Sequence, residues 1–406
     1  MEIIADLQVH SKHSRATSKD LSLSNLEKWG KIKGLNLIGT GDFQHPKHRL
    51  EIDEYLREDE KGILWSDEGF AFLWQSEISL MYSDKGKRRA VHLLVFVPNH
   101  EVADKFTNYL KSKGRIDYDG RPIFGIKARD FVKDLKDIDE RIEIIPAHCM
   151  TPWFGIFGSD SGYDSLKECF EDQTDKICAV ESGMSADPEM IWRMKQNIHV
   201  VSFSDAHSFW PWRIGREATI FDVEELSYGN IMKAIRTGEG IKATIETPPE
   251  YGKYHWDGHR NCNFSCNSNE TKKLNGLCPV CKKNMTIGVE SRIDLLAKEK
   301  EGYKDKFHKP FFKLLPLHEL ISLNISSPIE SAKTWRVYNE IINKFENEFN
   351  VLLNINKIDL LKEGIDERLV QLIMLSREGK LKVKAGYDGE YGVVQMPKTD
   401  ETTSST

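Results

Sequence analysis

Seven short apolar runs occupy the first two-thirds of the chain, and most of them lead into a residue type that binds metal ions. They are Ile3 to His10, Leu35 to Asp42, Phe70 to Glu77, Val91 to Pro98, Ile142 to His148, Ile177 to Glu181 and Val200 to His207. Helix signals fall between them. Ser22 to Lys33 stops at Gly34, Asn99 to Lys113 stops at Gly114, and Asp187-Pro188 supplies a capping acid and a first-turn proline. Strands that alternate with helices predict an α/β fold with a parallel sheet or a β/α barrel. The strand period of two puts Asp6, Gln8 and His10 on one face and Ile3, Ala5, Leu7 and Val9 on the other, while Asp205 shares a face with His207. The polar residues come late in the runs, at the carboxyl-terminal rim where β/α barrels build active sites.

The periodic pattern stops near Thr247-Pro248-Pro249, and a polar stretch with four cysteines follows. From Ser327 to Arg377 the apolar positions recur at helical spacing, first Trp335, Tyr338, Ile342, Phe345 and Phe349, then Leu369, Leu372, Ile373 and Leu375. The segment Gly386 to Gly392 reads as part of a turn-rich strand pair. The expected division is therefore a catalytic unit over 1–246, a cysteine module over 247–290, a mainly helical domain over 291–396 and a disordered tail over 397–406.

With 39% apolar and 30% charged residues in 406, the balance is that of a soluble globular protein. The apolar runs are too short to span a bilayer, and the start lacks the basic and apolar stretches of a leader, so a cytoplasmic location is expected. The 57 basic residues against 63 acidic ones leave a net charge of −6, so any grip on nucleic acid must come from local patches.

The runs deliver Gln8 and His10, Asp42, Glu77, His92, His148, Glu181, and Asp205 with His207. Taken singly, each is an ordinary hydrogen-bonded rim residue. Converging together without cations, they would repel one another or stay desolvated. Divalent ions resolve that conflict; zinc, manganese, iron or magnesium suit such ligands, and a bridging carboxylate such as Glu77 can hold two of them.

At Asp6-Leu7-Gln8-Val9-His10, Gly39-Thr40-Gly41-Asp42, Glu77, His92, His148 and Ser204-Asp205-Ala206-His207 the sequence resembles the polymerase-and-histidinol-phosphatase (PHP) family of phosphoesterases. The resemblance implies a distorted (β/α)7 barrel over residues 1 to about 245. It also implies three ion sites: Gln8, His10, Glu77 and Asp205 around one, Glu77, His92 and His148 around a second, and Asp42 with His207 at a third. Asp205, Glu77 and His10 would be catalytic. Two departures stand out: Gln8 replaces the usual first histidine with a weaker amide ligand, and Arg15 stands where many members carry an acid.

Cys262-x3-Cys266 and Cys278-x2-Cys281 have the spacing of a structural tetrahedral zinc site made of four thiolates. Around them lie His255, Trp256, His259, Arg260, Lys272, Lys273, Lys282 and Lys283, with Tyr251 and Tyr254 nearby, a mixture of cations and rings suited to a nucleic acid strand. Lys12, Arg15 and Lys19 beside the first strand, with Arg260 and Lys282, are the expected DNA contacts. The order of modules, with Asp257-Gly258-His259-Arg260 before the cysteines, Pro316-Leu317 before the helices and the closing Gly386-Tyr387-Asp388-Gly389-Glu390-Tyr391-Gly392, resembles the endonuclease Q family. That likeness implies DNA containing deaminated or abasic nucleotides as partner. It implies cleavage 5′ to uracil, hypoxanthine, xanthine or an abasic site, leaving 3′-hydroxyl and 5′-phosphate ends. The acidic balance leaves room for a replication or repair protein that delivers the DNA. The alternatives are a small-molecule phosphoesterase of histidinol-phosphatase type and a DNA-damage binding protein weakened in catalysis by Gln8.

Overall fold

The structure, a computed structural model, describes residues 1–395, so the expected disordered tail lies outside the described residues. Each of the seven apolar runs contains a strand, in the expected order. Glu2–Asp6, Leu37–Gly39 and Ala71–Leu73 are parallel neighbours at the centre of an eight-stranded sheet, which continues on one side through Ala218–Asp222, Ile241–Glu246 and Phe311–Lys313. Gln75–Asp84 and Lys87–Phe96 form a long hairpin in a second sheet with Ile123–Phe124 and Glu143–Pro146, while Ala179–Glu181 pairs with His199–Val201.

Among the described residues these ladders do not close into the expected barrel. The reason lies in the first strand. Its outer edge is taken by antiparallel Ala218–Asp222 from Glu2↔Asp222 to Ala5↔Thr219, so the chain after His199–Val201 reaches it through one isolated bridge, Val9 to Ala206.

The hairpin also changes what strand order means. It turns at Lys85-Gly86, both with positive φ (48° and 75°), which suits a tight two-residue turn. His92 therefore lies in the middle of a strand running the opposite way, not at a strand end, with its backbone opposite Ser79 and two residues from the register of Glu77.

Alternation sorts the core as expected. Ile3, Ala5 and Leu7 are buried with Leu37, Leu73, Phe96, Ile145 and Val201, whereas Val9 joins a larger cluster with the helices. Those helices are capped by the residues read from sequence: Ser22 Oγ accepts from Asn25 N at 3.2 Å, Asn99 Oδ1 from Val102 N at 3.0 Å and Asp187 Oδ1 from Met190 N at 2.9 Å. None of the described helices is long and apolar enough to cross a membrane.

The C-terminal helices Leu317–Ile325, Ala332–Phe345 and Glu367–Arg377 pack onto the α/β unit. Buried Lys33 donates to Glu348 Oε1 at 2.6 Å and to the Pro211 carbonyl at 2.8 Å, and Glu348 also accepts from Leu317 N and Tyr338 Oη, each at 2.9 Å. Around this ion pair Trp29, Trp210, Trp212 and Trp335 make a continuous aromatic contact.

Candidate active site and thiolate cluster

Glu77 is the hub of the site. Fully buried, it accepts from Gln8 Nε2 at 2.8 Å and from Arg121 Nη1 at 3.2 Å, and it lies 3.2 Å from His10 Nε2, 2.5 Å from His92 Nδ1 and 3.5 Å from His148 Nε2. Burial by itself would raise its pKa, but the charges of Arg121 and His92 hold it well below the usual carboxylate range. Asp205 Oδ1 is 3.1 Å from the same His10 nitrogen. Two donor sets result, Glu77 with His92 and His148, and His10 with Asp205 and His207, each with its ligand atoms within 4.8 Å of one another.

These residues fit divalent cations. Gln8 Oε1 and His148 Nδ1 are buried without a hydrogen-bond partner, and His92 Nδ1 faces His148 Nε2 at 3.1 Å, a spacing two ligands of one ion can share. The backbone carries a cost here: Asp42, His148 and Asp205 have left-handed φ values of 33°, 30° and 49°. Strain of this kind costs on the order of 1–3 kcal/mol per residue and persists where the surroundings impose it.

Other expected donors have different work. Among the described residues the donor set of His207 holds His10 and Asp205 and does not include Asp42. Asp42 Oδ2 accepts from Ser11 N and Ser11 Oγ, each at 2.7 Å, and from Ser14 Oγ at 2.9 Å, and its Oδ1 lies 3.2 Å from His10 Nδ1. It orients the imidazole from behind, as carboxylates commonly do for ligating histidines. Glu181 is occupied by the backbone N–H groups of His148 and Gly183, and its burial pushes its pKa up to about 7. Asp6 pins the loop that carries Asp205, accepting from Ser204 N at 2.9 Å and Gly215 N at 2.8 Å.

Arg121 was not singled out by sequence reasoning. It reaches Glu77 because Gly120 passes so close to Asp42 that a Cβ there would lie 2.2 Å from Oδ2. Only the Asp-Gly-Arg-Pro turn signals it. Asp119 of the same turn holds Arg15 Nε at 3.2 Å, which keeps Arg15 exposed and engaged away from Glu77. Lys12 is likewise engaged, by Glu51 at 2.7 Å, whereas Lys19, Arg260 and Lys282 are exposed.

A cavity of about 530 Å³ opens beside the two donor sets, lined by His92, His148, Asp205 and His207. Its other walls are aromatic and cationic: Trp153, Phe154, Tyr254 and Tyr391, with Arg213, Arg216 and Lys253. Phe154 stacks on His92 at 4.3 Å between centroids, and Trp153 meets Tyr254 edge-on at 5.4 Å. These residues come from loops and from the far end of the chain, where periodicity carries no signal.

The cysteine module departs from the expected four-thiolate site. Cys262, Cys278 and Cys281 gather as expected, but the fourth member is His259, whose Nδ1 is 3.2 Å from both Cys262 Sγ and Cys281 Sγ. Strand register explains the exchange. Asp257–His259 pairs with Phe264–Cys266 so that His259 sits at the turn end beside Cys262, while Cys266 is opposite Asp257. There Cys266 is buried with Cys278 and Met285, its Sγ 3.3 Å from Thr271 Oγ1. Three thiolates and an imidazole still make a tetrahedral zinc set.

A family model described as the MJ0043 C-terminal domain matches residues 316–380. The uncharacterized protein MJ0043 of Methanocaldococcus jannaschii is 34% identical over 256 residues, which cover 61% of this chain and 31% of that one. This chain thus spans under a third of that relative's length. The uncharacterized protein YqxK of Bacillus subtilis is 28% identical over 417 residues, covering 97% of this chain and 99% of its own. Among solved structures, the lesion-specific endonuclease PfuEndoQ of Pyrococcus furiosus aligns with a TM-score of 0.87 at 31% identity, covering 98% of this chain and 96% of its own. An endonuclease Q complex with a 27-mer duplex bearing an abasic lesion at the active site aligns equally well, at 30% identity over 98% of this chain and 97% of that one. Identity at this level, sustained from the first strand through the cysteine module to the closing strand pair, makes this chain a member of the endonuclease Q family.

Proposed function

We propose that the chain is a metal-dependent endonuclease that hydrolyses DNA on the 5′ side of an abasic nucleotide or of deaminated uracil, hypoxanthine or xanthine, leaving 3′-hydroxyl and 5′-phosphate ends. The observation that carries this reading is the pair of donor sets, one buried and one partly buried, opening on one cavity walled by rings and cations. The P. furiosus relative is a lesion-specific endonuclease, and the other solved relative holds an abasic duplex at its active site.

Residues Glu77, His92 and His148, and His10, Asp205 and His207, would hold the ions, and the unpartnered Gln8 oxygen is a further candidate ligand. Divalent ions bound there supply Lewis-acid charge for the scissile phosphate and a lowered pKa for water. The chain's own residues do the rest. Asp42 fixes the His10 ring, Gln8 and Arg121 fix Glu77, and Asp6 anchors the loop of Asp205. Trp153, Phe154 and Tyr254 offer stacking faces to a nucleotide extruded from the duplex. In this reading residues 1–246 carry the chemistry, while 247–290, with a structural zinc, and 291–396 shape the DNA path.

Duplexes bearing a single abasic site, uracil or hypoxanthine, incubated with the full chain and Mg2+, Mn2+ or Zn2+, test the proposal. One metal-dependent nick 5′ to the lesion is expected. Brisk hydrolysis of a small phosphate monoester with no nick in any duplex would replace the reading with a small-molecule phosphoesterase.

A further inference from the structure

Basic side chains around the cavity fall into two kinds. Lys12, Arg15, Lys33 and Arg121 are each held by a carboxylate. Arg213, Arg216 and Lys253 have no carboxylate within ion-pair distance among the described residues; they gather instead around one phenol. Lys253 Nζ is 4.5 Å and Arg213 Cζ 5.7 Å from the centroid of the Tyr391 ring, and Arg216, which lines the same cavity as Tyr391, donates its Nε to the Ser204 carbonyl at 3.1 Å.

The neighbouring carboxyls do little to neutralise the trio. Glu217 acts on Arg216, and Glu319 on Arg213 and Arg216, only from beyond ion-pair distance. Asp205, whose charge also reaches Arg216, belongs to the metal-binding set. Three cations with no ion-pair partner among the described residues, from two separated stretches of a chain of net charge −6, have been brought to one wall of the cavity. Like charges held together without a counter-ion are unfavourable unless an anion is to be received. A phenol among cations is a weak substitute for one, since ring contacts are worth less than charge-assisted hydrogen bonds to phosphate.

We propose that Arg213, Arg216 and Lys253 form a clamp for a DNA backbone phosphate next to the one that is cut, and that Tyr391 stands in the clamp until the phosphate displaces it. The inference rests on the endonuclease reading and names a contact within it. Tyr391, in the segment joining the C-terminal strands, is 36% exposed and lines the same cavity, so its side chain has room to leave.

The test is the salt dependence of binding to a duplex with one abasic nucleotide, using the full metal-loaded chain. Each phosphate neutralised contributes about 0.9 to the slope of log K against log salt. The double variant Arg213→Gln with Lys253→Met is expected to lose about one unit of slope and to raise KM about tenfold, with a smaller change in kcat. Adding back charge as Lys253→Arg in the Arg213→Gln background should restore about half of that slope. Lys12→Met, which removes the same charge from a paired position, should change the slope by less than a third as much. An unchanged slope in the folded double variant, or an equal loss in Lys12→Met, overturns the clamp while leaving a wild-type nick intact. A wild type that neither retains nor nicks the duplex overturns the endonuclease reading, and the clamp falls with it.

Discussion

Two clusters of metal-binding side chains occupy this chain, and they are held by opposite means. The donors around Glu77 lie on or next to strands whose apolar faces are fully buried, so the core fixes their positions and can impose left-handed φ on Asp42, His148 and Asp205. Around His259 the buried apolar cluster consists of Cys266, Cys278 and Met285, with Phe264 and Leu274 partly covered. A cluster of that size stabilises little, and metal binding would supply most of the ordering free energy. In the first case the fold makes the site; in the second a bound ion would make the fold.

Asp205→Asn gives the sharpest contrast. Asparagine keeps the shape and tolerates positive φ, but it removes a negatively charged ligand, so nicking is expected to fall at least about 100-fold. The unfolding midpoint of the metal-free protein should not drop, and a clear drop in circular-dichroism melting would show that this ligand shell is needed for folding after all. Cys281→Ser should behave the other way round. Metal analysis should show one zinc lost, and limited proteolysis should cut within 257–290 while the α/β unit stays intact; full zinc content would break the comparison. For Gln8→His, an imidazole replaces an amide oxygen, and the metal concentration giving half-maximal nicking should fall about tenfold. An unchanged requirement would remove Gln8 from the ligand set. The smallest effect is expected for Cys266→Ala, with zinc retained and stability lowered by about 1 kcal/mol. Zinc loss there would restore the four-thiolate site in place of His259.

The strands were legible because alternation of apolar residues is a local property, and Ile3, Ala5 and Leu7 declare their face without reference to the rest of the chain. Direction was not legible. Nothing in Val91 to Pro98 says that it runs antiparallel to its neighbour, and this is what brings His92 to Glu77 from mid-strand. The donor types were readable in number and kind, but not their division of labour, since Asp42 and Glu181 resemble ligands in sequence and are spent on His10 and on backbone N–H groups. The cations of the cavity wall could not be found at all by pattern. Arg213, Arg216 and Lys253 follow no period, and what distinguishes them, the lack of a carboxylate within ion-pair distance among the described residues, exists only in three dimensions.

The ion pair between Lys33 and Glu348 bears on how far this protein can be shortened. Residues 316–380 match a family model by themselves, which invites the view that they are a detachable appendage. Yet excising them would strand the Lys33 ammonium, 1% exposed in the intact chain, and uncover the indoles of Trp29, Trp210 and Trp212. With the covering helices gone, that ammonium and these indoles would meet water together, and the apolar contact the indoles make with Trp335 would be lost. The same ammonium donates to the Pro211 carbonyl, two residues before Arg213. The helices are thus a buttress of the cavity wall, and a chain shortened at residue 315 would inherit the candidate ligands but not the support behind that wall.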